Sequence, residues 1–295
     1  MHIAFIGFGE AARAFHDSLA SQDAALAFSA YDILFESEGL EGACAHAAAV
    51  RGVTVSSTPA DAVTGADWVI SAVTADQSLA AARSVGAHLG PGQHFFDINS
   101  VAPERKRETE AVLTGTSATY IDMAVMAPVH PRGHRTPVLI AGPTVEIADR
   151  LSHLEFDFDV VGEEAGAATA IKMVRSLFVK GLEAITVETM LAASASGCLD
   201  RVLASLSGSY PGLKWPDIAA YNAERMLKHG KRRAAEMRES GATLYALGLD
   251  GDLARAIAAL HDRMGALPLD GLPSEDIAES AAAIVSLRHD AGGKD

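Results

Sequence analysis

Directly after the short apolar run His2-Ile3-Ala4-Phe5-Ile6 stands Gly7-Phe8-Gly9-Glu10-Ala11-Ala12, and helix-forming residues follow at once. No other feature of the chain restricts its fold as strongly. In a G-x-G-x-x-A turn between strand and helix, the first glycine permits the tight turn and the second lets a pyrophosphate approach the backbone. Ala12 is small enough for helix and strand to pack closely. The free N–H groups at the helix start favour an anion. A plain glycine turn is the competing reading, and the opening strand–turn–helix context counts against it. Gly7, Phe8, Gly9, Glu10, Ala11 and Ala12 are therefore expected to bind a dinucleotide.

The rest of the first half supports that reading. Short apolar runs at His2–Ile6, Leu26–Tyr31, Val53–Ser56, Trp68–Val73, His94–Ile98, Thr119–Met123 and Val138–Ala141 alternate with helical stretches such as Ala11–Ser21 and Ser78–Leu89. Such alternation implies a parallel sheet with helices on both faces. After about Val161 the pattern becomes helical, broken at Ser205–Pro216, Gly248–Gly251 and Pro268–Pro273, and the stretch from Ala165 to Ser194 reads as one unusually long helix. The expected fold is α/β: a Rossmann-type, doubly wound parallel sheet in residues 1–164, then an all-α substrate and oligomerisation domain in 165–295. The long helix straddles the boundary, which suggests a cleft beside it. The last residues, 291–295, read as a frayed tail.

Further candidates sit where strands end. Asp32 follows the second strand, where a carboxylate accepts hydrogen bonds from ribose hydroxyls and repels a 2′-phosphate. The residues after it, Ile33-Leu34-Phe35-Glu36, contain no arginine. NAD is thus preferred over NADP, the competing reading being a solvated turn aspartate. Val73 and Thr74 end the fourth strand and are candidates to line the cofactor. Asn99 and Ser100 end the fifth and are candidates for nicotinamide or substrate contact, and equally for plain loop capping.

Composition narrows the class. With 24 Lys+Arg against 38 Asp+Glu the net charge is −14, which argues against sequence-independent binding to nucleic acid or adhesion to anionic membrane. The two cysteines, Cys44 and Cys198, supply neither a disulfide framework nor a four-ligand zinc site. No apolar run is long enough to span a bilayer. A soluble, cytoplasmic protein is expected.

These motifs resemble those of the β-hydroxyacid dehydrogenase family, which includes 3-hydroxyisobutyrate and 6-phosphogluconate dehydrogenases. The likeness is nearest to a branch described as NAD-binding phosphogluconate dehydrogenases with their own C-terminal domain. It rests on Gly7–Ala12, on Asp97-Ile98-Asn99-Ser100-Val101-Ala102-Pro103, on Asp122 through Val129, and on Gly166-Ala167-Ala168-Thr169-Ala170-Ile171-Lys172. The C-terminal part resembles the branch at His229-Gly230-Lys231-Arg232-Arg233-Ala234-Ala235-Glu236-Met237. The resemblance implies that Lys172 is the catalytic acid/base. A lysine partly desolvated in a cleft has its charged form disfavoured and so becomes a usable base. Without the resemblance, Lys172 would read as a lysine whose stem covers an apolar helix face.

Two departures stand out. Ser176 occupies the position, four residues after the lysine, where the family usually has asparagine, and it is the second catalytic candidate, its hydroxyl able to hydrogen-bond a substrate oxygen at shorter reach and without an NH₂ donor. The family's serine–glycine–glycine substrate loop after Pro128-Val129 is replaced by His130-Pro131-Arg132-Gly133-His134-Arg135. Arg132 has the fork geometry to grip a carboxylate or phosphate, with His130 or His134 assisting. A solvated basic loop is the equal alternative. Pro131 and Gly133 argue against a helical His–His metal pair, and no metal is expected. In the basic run from Lys228 to Arg233, His229 and Arg232 are candidate anion contacts, against the reading of a charged surface helix. Ser100, Val129, His130, Arg132, His229 and Arg232 are thus the expected substrate contacts.

The leading expectation is an NAD-dependent dehydrogenase of a hydroxy acid or related alcohol, with a small anionic substrate and, as the resemblance implies, a homodimeric or larger assembly. The alternatives are an imine reductase-like enzyme and a non-catalytic dinucleotide-binding redox sensor.

Overall fold

The structure, a computed structural model, describes residues 1–292. The tail expected at 291–295 falls on the end of the last helix for its first two residues and otherwise lies outside the described residues.

The chain opens with β1 (His2–Ile6), α1 (Glu10–Gln22), β2 (Ala27–Tyr31), α2 (Ile33–Ser37), α3 (Ala43–Ala49) and β3 (Thr54–Val55). After α4 (Pro59–Val63) come β4 (Trp68–Ser71), α5 (Ser78–Gly86), β5 (His94–Asp97), α6 (Pro103–Leu113) and β6 (Thr119–Val125). Then follow β7 (Val138–Ala141), α7 (Val145–His153) and β8 (Phe158–Gly162). Among the described residues, eight strands form one sheet in the order β3-β2-β1-β4-β5-β6-β7-β8. β4 and β5 are buried throughout, which is why Trp68-Val69-Ile70 and Phe95-Phe96 read as unbroken apolar runs instead of an alternation. On α1, Ala12, Phe15, His16 and Leu19 form the buried stripe.

The expected all-parallel sheet needs one amendment. β1 through β6 are mutually parallel, but β7 pairs antiparallel with β6, and β8 is parallel to β7. Residues 126–137 join β6 to β7 without a crossover helix, and only an antiparallel partner can be reached that way. β8 was not foreseen. Its pattern is half-exposed, so it carries little of the apolar signal by which the other strands were recognised.

The remainder is helical: α8 (Ala167–Ala195), α9 (Leu199–Ser209), α10 (Asp217–Ala246), α11 (Asp252–Gly265) and α12 (Ile277–Gly292). Two compact units result, residues 1–173 and 174–295, with the division falling inside α8. Among the described residues no helix is long and apolar enough to cross a membrane. The helical unit has its own core, drawing on Val187, Met190 and Leu191 of α8, Met226 and Met237 of α10, Ile257 of α11 and Ile284 of α12.

α10 and α11 come into close backbone contact at the paired glycines Gly230 and Gly265. A Cβ on Gly265 would stand 2.7 Å from the Lys231 nitrogen, and one on Gly230 would meet the His261 carbonyl. Gly230→Ala must therefore push the two helices apart. It should lower the unfolding free energy by about 1–3 kcal/mol, read as a lower urea midpoint at unchanged m-value.

Candidate active site

The glycine turn owes its shape to backbone approach. Gly7 has φ +87°, and a Cβ there would lie 2.5 Å from the Ala72 carbonyl oxygen and 2.7 Å from Val73 Cγ1 at the end of β4. Its N–H donates to the Tyr31 carbonyl at 2.8 Å. Gly9 caps α1 with no side-chain hydrogen bond, and nothing lies within 4 Å of where its Cβ would be. The first-turn N–H groups of α1 thus lack a side-chain cap, beside open space, which fits an anionic phosphate group. Ala12 is fully buried, Ala11 half-buried and Glu10 exposed in the first turn.

Phe8 contributes backbone alone, because its ring is buried against Phe5. Its peptide groups are held from two directions. The N–H donates to Asp32 Oδ2 at 2.7 Å, and the carbonyl accepts from Arg13 Nε at 2.9 Å. Asp32 Oδ1 also accepts the Leu34 N–H at 3.0 Å, capping α2. Asp32 therefore lies at the glycine turn, half-buried, with lone pairs remaining on both oxygens.

From this turn a chain of contacts runs along the carboxyl ends of the strands. The Val73 N–H donates to Asn99 Oδ1 at 2.7 Å, while Asn99 Nδ2 donates to Ser71 Oγ at 2.9 Å and Ser78 Oγ at 3.3 Å. Asn99 is buried and its carboxamide ties the end of β4 to the end of β5. Thr74 is exposed at the start of a short 3-10 turn. Next to Asn99, Ser100 Oγ accepts from Lys172 Nζ at 2.5 Å. Both residues of that contact are half-buried.

Beneath the contact lies a group of charges that sequence reasoning missed. Asp97, Lys106 and Asp122 are each 0% exposed. Lys106 Nζ reaches the Asp97 carbonyl oxygen at 2.7 Å, Asp97 Oδ1 at 2.9 Å and Asp122 Oδ1 at 3.5 Å. Asp97 Oδ1 accepts the Asn99 N–H at 3.0 Å, and Oδ2 accepts the Tyr120 hydroxyl at 3.0 Å. Burial, with both aspartates nearby, holds the Tyr120 hydroxyl well above its ordinary range. Asp122 Oδ2 accepts the Gly166 and Thr169 N–H groups at 3.1 and 3.0 Å, and Oδ1 accepts the Thr169 hydroxyl at 2.8 Å. A signal existed: Pro103, Lys106, Thr109 and Leu113 share the buried face of α6, where a lysine needs a buried acid.

The replacement loop is anchored elsewhere. Val129 packs into the core on the α1 side of the sheet. Buried His134 bridges Ser18 Oγ at 2.7 Å and the Leu154 carbonyl at 2.7 Å, so it clamps α1 to the end of α7. His130 and Arg132 are exposed.

In the helical unit, buried Ser176 accepts from Lys180 Nζ at 3.1 Å, and Lys180 pairs with Glu236 at 2.8 Å. Burial pushes the Lys180 amine below its ordinary pKa, with Glu236 opposing. Arg233 clasps Glu183 through two hydrogen bonds, one of 2.8 Å from Nε. His261, beside Glu183 and Lys180, is driven by burial down to about 4. Arg232 is exposed and stands 3.7 Å from Glu236, and His229 is half-buried one turn earlier on α10.

An open glycine turn on a mainly parallel sheet, followed by a helical unit, is the architecture of a two-part, dinucleotide-type oxidoreductase. Residues 2–100 match a family profile described as NADP oxidoreductase, coenzyme F420-dependent, and residues 193–264 match a domain of unknown function, DUF1932. A conserved hypothetical protein from Sinorhizobium meliloti 1021 is 34% identical, with 98% of this chain and 95% of that one covered and a TM-score of 0.76. A conserved protein of unknown function, described as structurally similar to 3-hydroxyacid dehydrogenases, is 30% identical over 90% of this chain and 96% of its own, with a TM-score of 0.70. The 3-hydroxyisobutyrate dehydrogenase of Mycobacterium tuberculosis shares the fold at 18% identity, covering 96% and 98%, with a TM-score of 0.74. The chain belongs to the β-hydroxyacid dehydrogenase-like family.

Two stability predictions follow from the buried charges. Lys106→Met strands two buried carboxylates and should cost about 3–5 kcal/mol, measured by urea unfolding at pH 7. His261 binds its proton far more weakly folded, at about 4, than at its ordinary 6.5, so the protein keeps full stability above pH 6.5. Between those values the unfolded chain takes up a proton that the fold refuses, removing about 3 kcal/mol at most. The difference between wild type and His261→Gln, followed from pH 7 to 4, should show that loss.

Proposed function

We propose that the protein is an NAD-dependent dehydrogenase acting on the CH–OH group of a hydroxy acid or related alcohol, with Lys172 as its general acid/base. The observation that carries the reading is the 2.5 Å contact from Lys172 Nζ to Ser100 Oγ, joined through Asn99 and Val73 to the glycine turn. Family membership supports oxidoreductase chemistry, and Asp32 at the turn supports NAD. On a turn shaped by Gly7 and fixed at Phe8, the backbone N–H groups of Gly9, Glu10, Ala11 and Ala12 at the start of α1 would hold the pyrophosphate, and Asp32 the adenosine ribose.

Bound nicotinamide supplies the hydride acceptor. The protein's part is alignment and proton transfer. In oxidation the neutral amine of Lys172 takes the hydroxyl proton as the carbon gives up hydride. In reduction the ammonium returns it. Ser100, accepting from Lys172, can turn its own proton toward a substrate oxygen and fix that oxygen near the amine. Ser176 is proposed as a second hydroxyl donor in place of the family's carboxamide.

Lys172→Ala should lower NAD+-dependent oxidation across a panel of hydroxy acids about 10²–10⁴-fold and leave NADH affinity, read by fluorescence, nearly unchanged. Asp32→Ala should weaken NADH binding about tenfold, roughly 1.4 kcal/mol, and NADPH binding less. NADH binding with no turnover of any hydroxy acid or alcohol would favour a sensor over an enzyme.

A further inference from the structure

We propose that Lys106 is a positioning residue for this reaction, holding the Lys172–Ser100 contact from below. The inference rests on the reading of Lys172 as the proton-transfer group. Its basis is that one buried ammonium binds the segment that carries Ser100 directly and reaches the segment that carries Lys172 through Asp122.

On one side, Lys106 Nζ binds the carbonyl and carboxylate of Asp97, and the same carboxylate accepts the Asn99 N–H. These bonds fold the turn by which the chain leaves β5, and Ser100 is its next residue. On the other side, Lys106 faces Asp122, whose two oxygens take the Gly166 and Thr169 N–H groups and the Thr169 hydroxyl. These bonds secure the first turn of α8, and Lys172 lies three residues beyond Thr169, on the adjoining face.

Asp97 and Asp122 are also register partners on neighbouring strands. Strands in a sheet stand about 4.8 Å apart, so two ionised carboxylates there repel strongly unless a cation bridges them. Lys106 is that cation. The cluster keeps one excess negative charge, which the start of α8 helps to balance. An apolar interior would stabilise the same layer without a buried ion to desolvate. What the cluster adds is a fixed distance between the two site-bearing segments.

Thr169→Val removes one donor from the cluster without altering its charge, and Thr169→Ser restores it. Limiting acetic anhydride followed by peptide mass spectrometry reads the reactivity of Lys172 against pH, with no cofactor or substrate added. Thr169→Val should acylate at Lys172 about threefold faster at pH 8, as the contact with Ser100 loosens, and Thr169→Ser should match wild type. In Lys106→Met the midpoint of the Lys172 profile should rise by about one unit, because an uncompensated carboxylate favours the ammonium. With NAD+ and 3-hydroxypropionate as the probe, Thr169→Val should reduce kcat about tenfold and leave KM within about threefold.

Folded variants whose acylation matches wild type overturn the proposal. So does loss of folding in both Thr169→Val and Lys106→Met, which would assign the cluster to stability alone. Altered acylation in a protein that turns over no hydroxy acid would sink the dehydrogenase reading and leave the positioning role standing. Normal turnover with unmoved acylation would do the reverse.

Discussion

Two aspartates at the ends of adjacent central strands share one lysine, and the arrangement of the candidate site depends on that sharing. Water is excluded from all three side chains, so their charges act on one another at close to full strength. The pair of strands can end in acids only because α6 delivers an ammonium between them. Each remaining lone pair then recruits something that matters to the site: the N–H after β5, the hydroxyl of Tyr120, the first turn of α8. A local electrostatic requirement thus organises segments far apart in sequence, and Ser100 and Lys172 meet as a consequence.

The helical unit uses the same device differently. The basic run from Lys228 to Arg233 reads in sequence as one exposed cluster, but the helical period divides it. Lys228, Lys231 and Arg232 face solvent, whereas Arg233 turns inward to Glu183. Glu236, an i, i+4 neighbour of Arg232, stands nearer to Lys180. Burial decides between the two partners, since an acid facing a desolvated lysine interacts more strongly than one facing a hydrated arginine.

How much could be read beforehand follows from what each signal contains. Strands β1 and β7 and the glycine turn lay where the apolar runs and small residues indicated, because strands with neighbours on both sides and helices over both faces leave an unambiguous pattern. The place of Asp32 beside the glycine turn was legible from its spacing. Lys172 stands as a candidate through resemblance alone, and its contact with Ser100 is not written in its own sequence neighbourhood, which reads as that of a snorkelling side chain. The cluster around Lys106 was only half legible: the face of α6 that carries Lys106 calls for a buried acid, but no local rule says that one on β5 and another on β6 converge there. The anchoring of the loop from His130 to Arg135 was hidden for a related reason. Its charges suggest ligand binding, but Val129 and His134 are used to fasten it to α1, which only the tertiary contacts reveal.

The clasp on Phe8 has its own consequence. With its amide hydrogen taken by Asp32 and its carbonyl by Arg13, the glycine turn is held in shape by the protein's own groups. Little disorder has to be surrendered on association, so a larger share of the contact energy can appear as affinity. The turn is a preformed mould, and a ligand docking there would need no rearrangement of the backbone.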